Sequence, residues 1–582
     1  MGKNIAFQQF YRIWWGITII PELPVQHHCR DAIKKNYGTL RHEIVTSDIY
    51  SMSLRARFKK PEFGNSADCH NLVDGVAVLD GIISVINGFV WSPALVFLCL
   101  AAGAYFTLAT KFVQIRCVPD MLRQLGGGEK SENGVSSFQS LMISLAGRVG
   151  VGNIAGVATA IAFGGPGAVF WMWTVALLGS ATSFVECTLA QIYKEQDKDT
   201  GEYRGGPAFY IEKAFRHTKA APFMLIYGCV FAFAMLLAMS YFMPGVQANG
   251  VSAAVENAWG VDTRWTAIVL VVVLGIIVIG GIKRIANFAM LVVPVMAVVY
   301  IGIAIVILFM NFDQIPEVFN LIFASAFDLN AGFAGMIGVA IMWGVRRGIY
   351  SNEAGQGTGP QSAAAAEVSH PAKQGLVQAF SVYVDTLFVC SATAFIILST
   401  DMYQVFEGES EEGVVRYAGS LPDGVPVGPG YVQEGMNTML QGFGPTFVAL
   451  AIGFFAFTTV LAYYYMAEVN LAYFSRWISN HYIRRGLVWL LRVLVLAAVA
   501  VGATSTPGAA WELGDIGVGT TAWLNIIGII ILQVPAFKAL KDFNRQHKAG
   551  LDPQFDPVAL GIKNADFWEE RKKRLASESG GR

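Results

Sequence analysis

"MISLAGRVGVGNIAGVATAIAF", residues 142–163, is apolar enough to lie in a membrane and carries too much glycine to stay a plain helix there. Gly147, Gly150, Gly152 and Gly156 fall within ten residues. Two readings compete. Small residues let transmembrane helices pack closely. Alternatively, the chain unwinds around Val149–Gly152 and the helix restarts beyond it. A freed backbone amide or carbonyl in hydrocarbon costs several kcal/mol unless it is paired. An unwound stretch therefore survives only beside a cavity, an ion or a polar ligand. Freed carbonyls there suit Na+, and the amides of Val149, Gly150 and Gly152 at a restarted half-helix suit a carboxylate.

A second stretch reads the same way. "WGVRRGIYSNEAGQGTGPQSAAAAE", residues 343–367, holds Gly344, Gly348, Gly355, Gly357 and Gly359 and then Pro360, a density that stops a helix. A span needs about 20 apolar residues. Eleven segments qualify: 88–110, 138–163, 167–193, 221–246, 265–281, 285–310, 331–349, 375–400, 442–466, 486–506 and 521–538. Spans two to six and seven to eleven are two sets of five, each opening with its glycine-broken helix. An odd number of spans per set inverts the second copy. That is the sequence pattern of an inverted-repeat transporter with its site between the repeats.

The connecting segments support the count. Segments 111–137, 194–220, 282–284, 350–374 and 467–485 hold many basic residues, among them Lys111, Arg116, Lys194, Arg204, Lys213, Lys373 and Arg476. The opposite segments, 247–264, 311–330, 401–441 and 507–520, hold only Arg264 and Arg416. The asymmetry places the first set and the C-terminus in the cytoplasm. Composition agrees. Of 582 residues, 54% are hydrophobic and 14% charged, against roughly 25% charged in soluble domains. Lys+Arg and Asp+Glu are both 42, which excludes the basic surface of a nucleic-acid binder. The seven cysteines show no metal-ligand spacing. No H-E-x-x-H motif, G-x-S-x-G elbow or polar triad lies in a span, so no enzyme is read here and no cofactor is expected.

Inside a membrane each ionisable residue is a functional candidate. Arg148 lies beside the first break and is expected to pair with a carboxylate, with Glu186, Asp385 and Glu468 as possible partners. Glu353 follows the seventh span as a gate ion pair or a wet side chain. Arg148, Glu186 and Glu353 are thus the gate or ion-pair candidates. Asn153 follows the first break and can bridge a substrate carboxylate or amine. Gln247 sits at the external end of span four. Span nine, within "FFAFTTVLAYYYMAEVNLAY" (454–473), places Thr458 and Thr459 mid-membrane. Their hydroxyls either bond back to their own helix or, with carbonyls from a break, ligate a hard monovalent cation.

"GRVGVGNIAGVATAIAFGGPGAVFWMW" (147–173), "EYRGGPAFYIEKAF" (202–215), "RRGIYSNEAGQGTGPQSAAAAE" (346–367) and "FFAFTTVLAYYYMAE" (454–468) together resemble the sodium:alanine symporter family over about 75–540. The resemblance implies an all-α polytopic membrane protein with a leucine-transporter-like 5+5 inverted repeat and one additional N-terminal span. It implies Na+-driven symport of a small neutral amino acid, alanine or glycine, by alternating access. It also implies a Na+ site from carbonyls of Ala146 and Val149 with the hydroxyls of Thr458 and Thr459. Substrate contacts would come from Asn153 and Gln247, beside Val149, Gly150, Gly152 and, at the second break, Gly344. Where the family often has threonine this chain has Val151. Proton coupling is the alternative within transport, with Glu186 or Glu353 as the titrating group; a membrane-embedded enzyme is the remaining one.

The expected organisation is an extension over 1–70, an interfacial helix and first span over 71–110, repeats over 138–310 and 331–540, and a cytoplasmic tail over 541–582. The protein is expected in the plasma membrane (a bacterial inner membrane), working as a monomer with Na+, amino acid and lipid as its partners.

Overall fold

In the computed structural model, α2 (Ser137–Arg148) starts where its sequence says it should. Ser136 accepts the Gln139 amide at 3.1 Å, and the Gln139 side chain accepts the Ser136 amide at 2.9 Å, a reciprocal cap that satisfies two otherwise orphaned donors. The structure describes residues 81–125, 134–197, 200–279, 281–327, 329, 333 and 335–580. The extension read over 1–70 and most of the interfacial helix lie outside the described residues. Of the unit Met1–Val85, only 81–85 are described, and they are helical. The membrane helices belong to the other unit, Ile86–Arg582.

Helix α1 (Pro93–Ala109) precedes α2. After the first break come α3 (Ala155–Gly164), α4 (Gly167–Ile192), α5 (Ala221–Leu237) and α6 (Met243–Trp259). Then follow α7 (Thr263–Val278), α8 (Gly281–Met310) and α9 (Ile315–Ala326). The second broken pair is α10 (Ile337–Asn352) and α11 (Gly359–Ala364). The chain closes with α12 (Pro371–Val382), α13 (Ser391–Ser399), α14 (Gly444–Ser475), α15 (His481–Thr504), α16 (Pro507–Lys548) and α17 (Asp566–Gly580). Turns of π-helix, Ala238–Phe242 and Tyr383–Cys390, join α5 to α6 and α12 to α13.

Eight helices among the described residues are long and apolar enough to cross a membrane, and Ala155–Gly164 and Thr263–Val278 are shorter apolar ones. The chain is an all-α polytopic membrane protein. Burial separates inner from outer helices. Every residue of α3 is buried, whereas Trp265, Ile268, Val269, Val272 and Ile276 on α7 are exposed apolar side chains suited to lipid. Helix α4 is the common neighbour of α1, α10, α11 and α12.

Three boundary expectations need correction. Segment 247–264, read as a loop, is mostly helix, because α6 runs on to Trp259. Segments 311–330 and 507–520 contain α9 and the first turns of α16. The segment "ELGDIGVG" (512–519) within 507–520 is helical, and its glycines face neighbouring helices. They are packing positions: a Cβ on Gly519 would stand 2.3 Å from Val90. Helix α16 runs on to Lys548. The long 401–441 segment folds as a hairpin, Gln404–Phe406 with Val415–Ala418, and a helix, Pro429–Met439. Its acids have partners, Glu407 on Arg416 and Glu411 on the Val427 amide.

Candidate functional site

The first break is real. Helix α2 stops at Arg148, Val149 (φ −80°, ψ 90°) and Gly150 (φ −140°, ψ −154°) are extended, and one 3-10 turn, Val151–Asn153, leads into α3. Side chains take over the interrupted bonding. Gly150 N–H donates to Asn153 Oδ1 at 2.8 Å, and Val151 N–H donates to Gln247 Oε1 at 2.9 Å. Gly150 is required by space. A Cβ there would lie 2.7 Å from both Gln247 Oε1 and Thr459 Oγ1.

On the other side of Gly150 stands α14. Thr459 Oγ1 lies 2.8 Å from Ala146 O, 3.2 Å from Val149 O and 2.9 Å from Phe455 O. A hydroxyl has one proton and cannot serve three carbonyls at once. This is an oxygen-rich, uncharged cluster of the kind a hard monovalent cation takes. Thr458, one residue before it, turns away by about 100° of helix rotation and donates to Phe455 O at 2.9 Å. The structure therefore brings Ala146, Val149 and Thr459 together and leaves Thr458 bonded to its own helix.

The second break spans 353–358 between α10 and α11. Glu353 adopts φ 56°, uncommon for a residue with a side chain, and Gly355 and Gly357 follow at φ 85° and 89°. Glu186 on α4 holds this break. Its Oε1 accepts Gly355 N–H at 3.1 Å, and its Oε2 accepts the Asn525 amide at 2.6 Å. Asn525 also donates to Gly355 O at 2.9 Å. Glu353 is neither wet nor an ion pair. It is buried and accepts the Thr358 hydroxyl at 2.8 Å.

Arg148 does not pair with a carboxylate as expected. Its guanidinium donates to Gln378 O at 3.2 Å, Ser183 Oγ at 3.3 Å and Ser381 Oγ. Hydroxyls and a carbonyl on α4 and α12 reach it first. Glu468, one of its proposed partners, sits near Arg204 instead, at 3.7 Å. Gln247 is buried within the continuous α5–α6 unit, not at a helix end. Gly344 lies in a packing seam, where a Cβ would meet Ala168 O at 2.5 Å.

Three features escaped the sequence reading. Asp385, weighed only as a partner for Arg148, joins both breaks: its carboxylate accepts Asn153 Nδ2 at 2.5 Å and Ser351 Oγ at 2.9 Å. Tyr350 lays its ring 3.0 Å from where a Gly152 Cβ would be, and stacks at a tilt on Trp511, with centroids 4.9 Å apart. Asp515 on α16 grips Arg347 at 2.9 Å and Arg346 at 2.8 Å, and the Trp511 ring covers Arg347 at 4.3 Å. Adjacent arginines inside a span were the available signal for this last group.

Outside the spans, Lys194 lies buried beyond α11 and donates to Ala366 O at 2.7 Å. Its ammonium faces the rings of Tyr203 and Phe567 at 4.5 Å and of Trp568 at 5.5 Å. Burial pulls its pKa down to about 7, against the opposing pull of Glu367. Nearby, Val135 N–H donates to Ala365 O and Glu367 N–H to Val135 O, both at 3.0 Å. This bridge ties the approach to α2 to the end of α11.

Most of the chain is similar to known proteins. The profile of the sodium:alanine symporter family matches residues 76–557. YrbD of Bacillus subtilis, a candidate sodium/proton-dependent alanine carrier, is 53% identical over 488 residues, covering 84% of this chain and 97% of that protein. The sodium/proton-dependent alanine carrier protein of Bacillus sp. PS3 is 47% identical, covering 79% and 99%. GlnT of Bacillus subtilis, a candidate sodium/glutamine symporter, is 41% identical, covering 82% and 93%.

Proposed function

The chain belongs to the sodium:alanine symporter family, and from that membership we propose that its two broken helices form one alternating-access site where Na+ and alanine or glycine bind side by side. The protein is a multi-pass plasma-membrane secondary transporter that couples a small neutral amino acid to a cation, and it is not an enzyme. No cofactor enters the cycle, and Na+ is the coupling ion.

The observation that carries the site is the adjacency of two opposite chemistries on one break. Ala146 O, Val149 O and Thr459 Oγ1 form the cation side. The amides of Gly150 and Val151 form the anion side, one residue along. Asn153 Oδ1 and Gln247 Oε1 hold the acceptor positions that the carboxylate of an amino acid takes when it binds. Na+ fixes the extended Val149–Gly150 segment, and the ordered amides then receive the carboxylate near the positive end of α3. Gly152 lets backbone and ligand approach, while Tyr350 and Trp511 leave room only for a short side chain. Ion and substrate favour the same closed state, which is what couples them.

The finer architecture belongs to this reading: eleven spans in a leucine-transporter-like 5+5 inverted repeat, with repeats over 138–310 and 331–540 opening on the broken pairs α2–α3 and α10–α11. The C-terminus is cytoplasmic, and the working unit is the monomer. In this orientation Asp515 with Arg346 and Arg347 closes the outer path.

Uptake of labelled alanine into proteoliposomes, with unlabelled amino acids as competitors, tests the reading. A Na+ gradient is expected to drive accumulation, with glycine and alanine the effective competitors. Accumulation that ignores Na+ and follows a pH gradient would favour proton coupling instead, a reading that draws on the buried Glu186 and Glu353.

A further inference from the structure

One charge inside a span lies apart from both breaks. Arg492 is the last charged residue of α15, a 24-residue apolar helix, and stands about 16 Å of helix rise from its start at His481. A guanidinium stays charged in proteins, so within hydrocarbon it needs a counter-charge or a route to the interface. The protein does not supply the counter-charge. Arg492 Nε donates to the Tyr464 hydroxyl on α14 at 3.2 Å, and the guanidinium lies 4.8 Å from the centroid of the Trp489 ring. Neither partner is an anion. Glu468, one turn beyond Tyr464, also faces that hydroxyl, but its ion-pair partner is Arg204. Among the described residues no carboxylate is in ion-pair contact with Arg492, and its bond to Tyr464 uses only Nε of the fork.

The surroundings suit lipid. Arg492 is half-buried, and Trp489 and Val493 beside it are exposed. Positions 482, 485, 489 and 492 share one helix face, which puts Tyr482, Arg485, Trp489 and Arg492 in a single stripe whose first three members are exposed. Side chains on a helix lean towards its N-terminus, so the Arg492 fork is carried back over Trp489 towards Arg485. Each part of the stripe has a lipid counterpart. Arginine takes a phosphate through parallel N–H bonds, tryptophan and tyrosine favour the water–hydrocarbon boundary, and basic pockets between membrane helices hold anionic headgroups. We propose that Arg492, with Arg485 and Trp489 on α15 and Tyr464 on α14, binds the phosphate of an anionic phospholipid in the leaflet at the His481 end of the helix. The lipid phosphate is the missing counter-charge, and the exposed aliphatic side chains of α15 take its acyl chains. The site lies on the lipid-facing seam of α14 and α15 and goes beyond the transport reading, needing neither the ion nor the amino acid.

Native mass spectrometry of the purified, delipidated full chain tests this, with dioleoylphosphatidylglycerol, dioleoylphosphatidylcholine and inorganic phosphate as probes. The first phosphatidylglycerol is expected to bind about tenfold more tightly than the first phosphatidylcholine. Arg492→Met is expected to weaken that first phosphatidylglycerol by about tenfold or more, the loss of charge-assisted hydrogen bonds. Arg485→Met, at an exposed position, is expected to weaken it by about threefold or more. Inorganic phosphate at the same concentration is expected to leave the lipid bound. Equal affinity for the two lipids overturns the proposal, as does unchanged phosphatidylglycerol binding in Arg492→Met. Displacement of the lipid by inorganic phosphate overturns it too, because the site then takes a free anion. The wild-type comparison and Arg485→Met remain decisive if Arg492→Met fails to fold.

Discussion

Thr459 Oγ1 lies 2.8 Å from the carbonyl oxygen of Ala146, a residue 313 positions earlier in the chain. That contact joins α14 to the last turn of α2, where the helix gives way. Its neighbour Thr458 has no such reach, so the pair makes an internal control. Thr459→Ala is expected to raise the Na+ concentration for half-maximal uptake by about tenfold or more, the loss of one ligating hydroxyl. Thr458→Ala is expected to change it by less than about threefold. Equal effects of the two substitutions in Na+ titrations of uptake would remove Thr459 from the cation site.

Gly150 stands between Gln247 and Thr459 with no room for a methyl group. Both neighbours are fixed, one by the Val151 amide and one by three carbonyls. Gly150→Ala is expected to insert normally and lose nearly all Na+-driven uptake. Wild-type rates in reconstituted vesicles at matched protein levels would contradict so tight a fit.

Asp515 answers two arginines at once. Removing its charge leaves Arg346 and Arg347 buried side by side with their shared partner gone. Breaking a buried pair costs about 3–5 kcal/mol. Asp515→Asn is therefore expected to lower the unfolding midpoint of the purified protein markedly. The double variant in which both arginines become Met is expected to recover part of that loss. The measurement is thermal unfolding in detergent, and an unchanged midpoint for Asp515→Asn contradicts the prediction.

The tail contact carries a pH dependence with a definite sign. Lys194 has an ordinary pKa near 10.5 and is pulled down to about 7 where α17 covers it. The covered state binds fewer protons between these values. Docking of α17 is thus strongest above the ordinary pKa and weakens as pH falls towards 7. A spin label on Glu570 should report more immobile tail at pH 9 than at pH 7. Lys194→Met should flatten that difference, and a persisting slope would assign it to another group.

Both breaks were legible because glycine density inside an apolar run has few physical outcomes. Ala146, Val149, Thr458 and Thr459 were named as one set through the family resemblance. What hydropathy alone did not separate was Thr459 from Thr458, since adjacent helix positions differ only in which way they face. Gln247 was misplaced, and the helical start of segment 507–520 was missed, for a related reason. Hydropathy stops a span at the first polar or glycine-rich stretch, but α6 and α16 continue because protein, not lipid, surrounds them there. Arg148 was recognised as exceptional while its partners were not, because hydroxyls and carbonyls leave no charge signature in a sequence.

The two-strand bridge from Val135 to Ala365 and Glu367 has a mechanical consequence. It rivets the threshold of one discontinuous helix to the far end of the other. A swing of α11 away from its neighbours is expected to drag the start of α2 along, so that the two half-helices travel as a single lever.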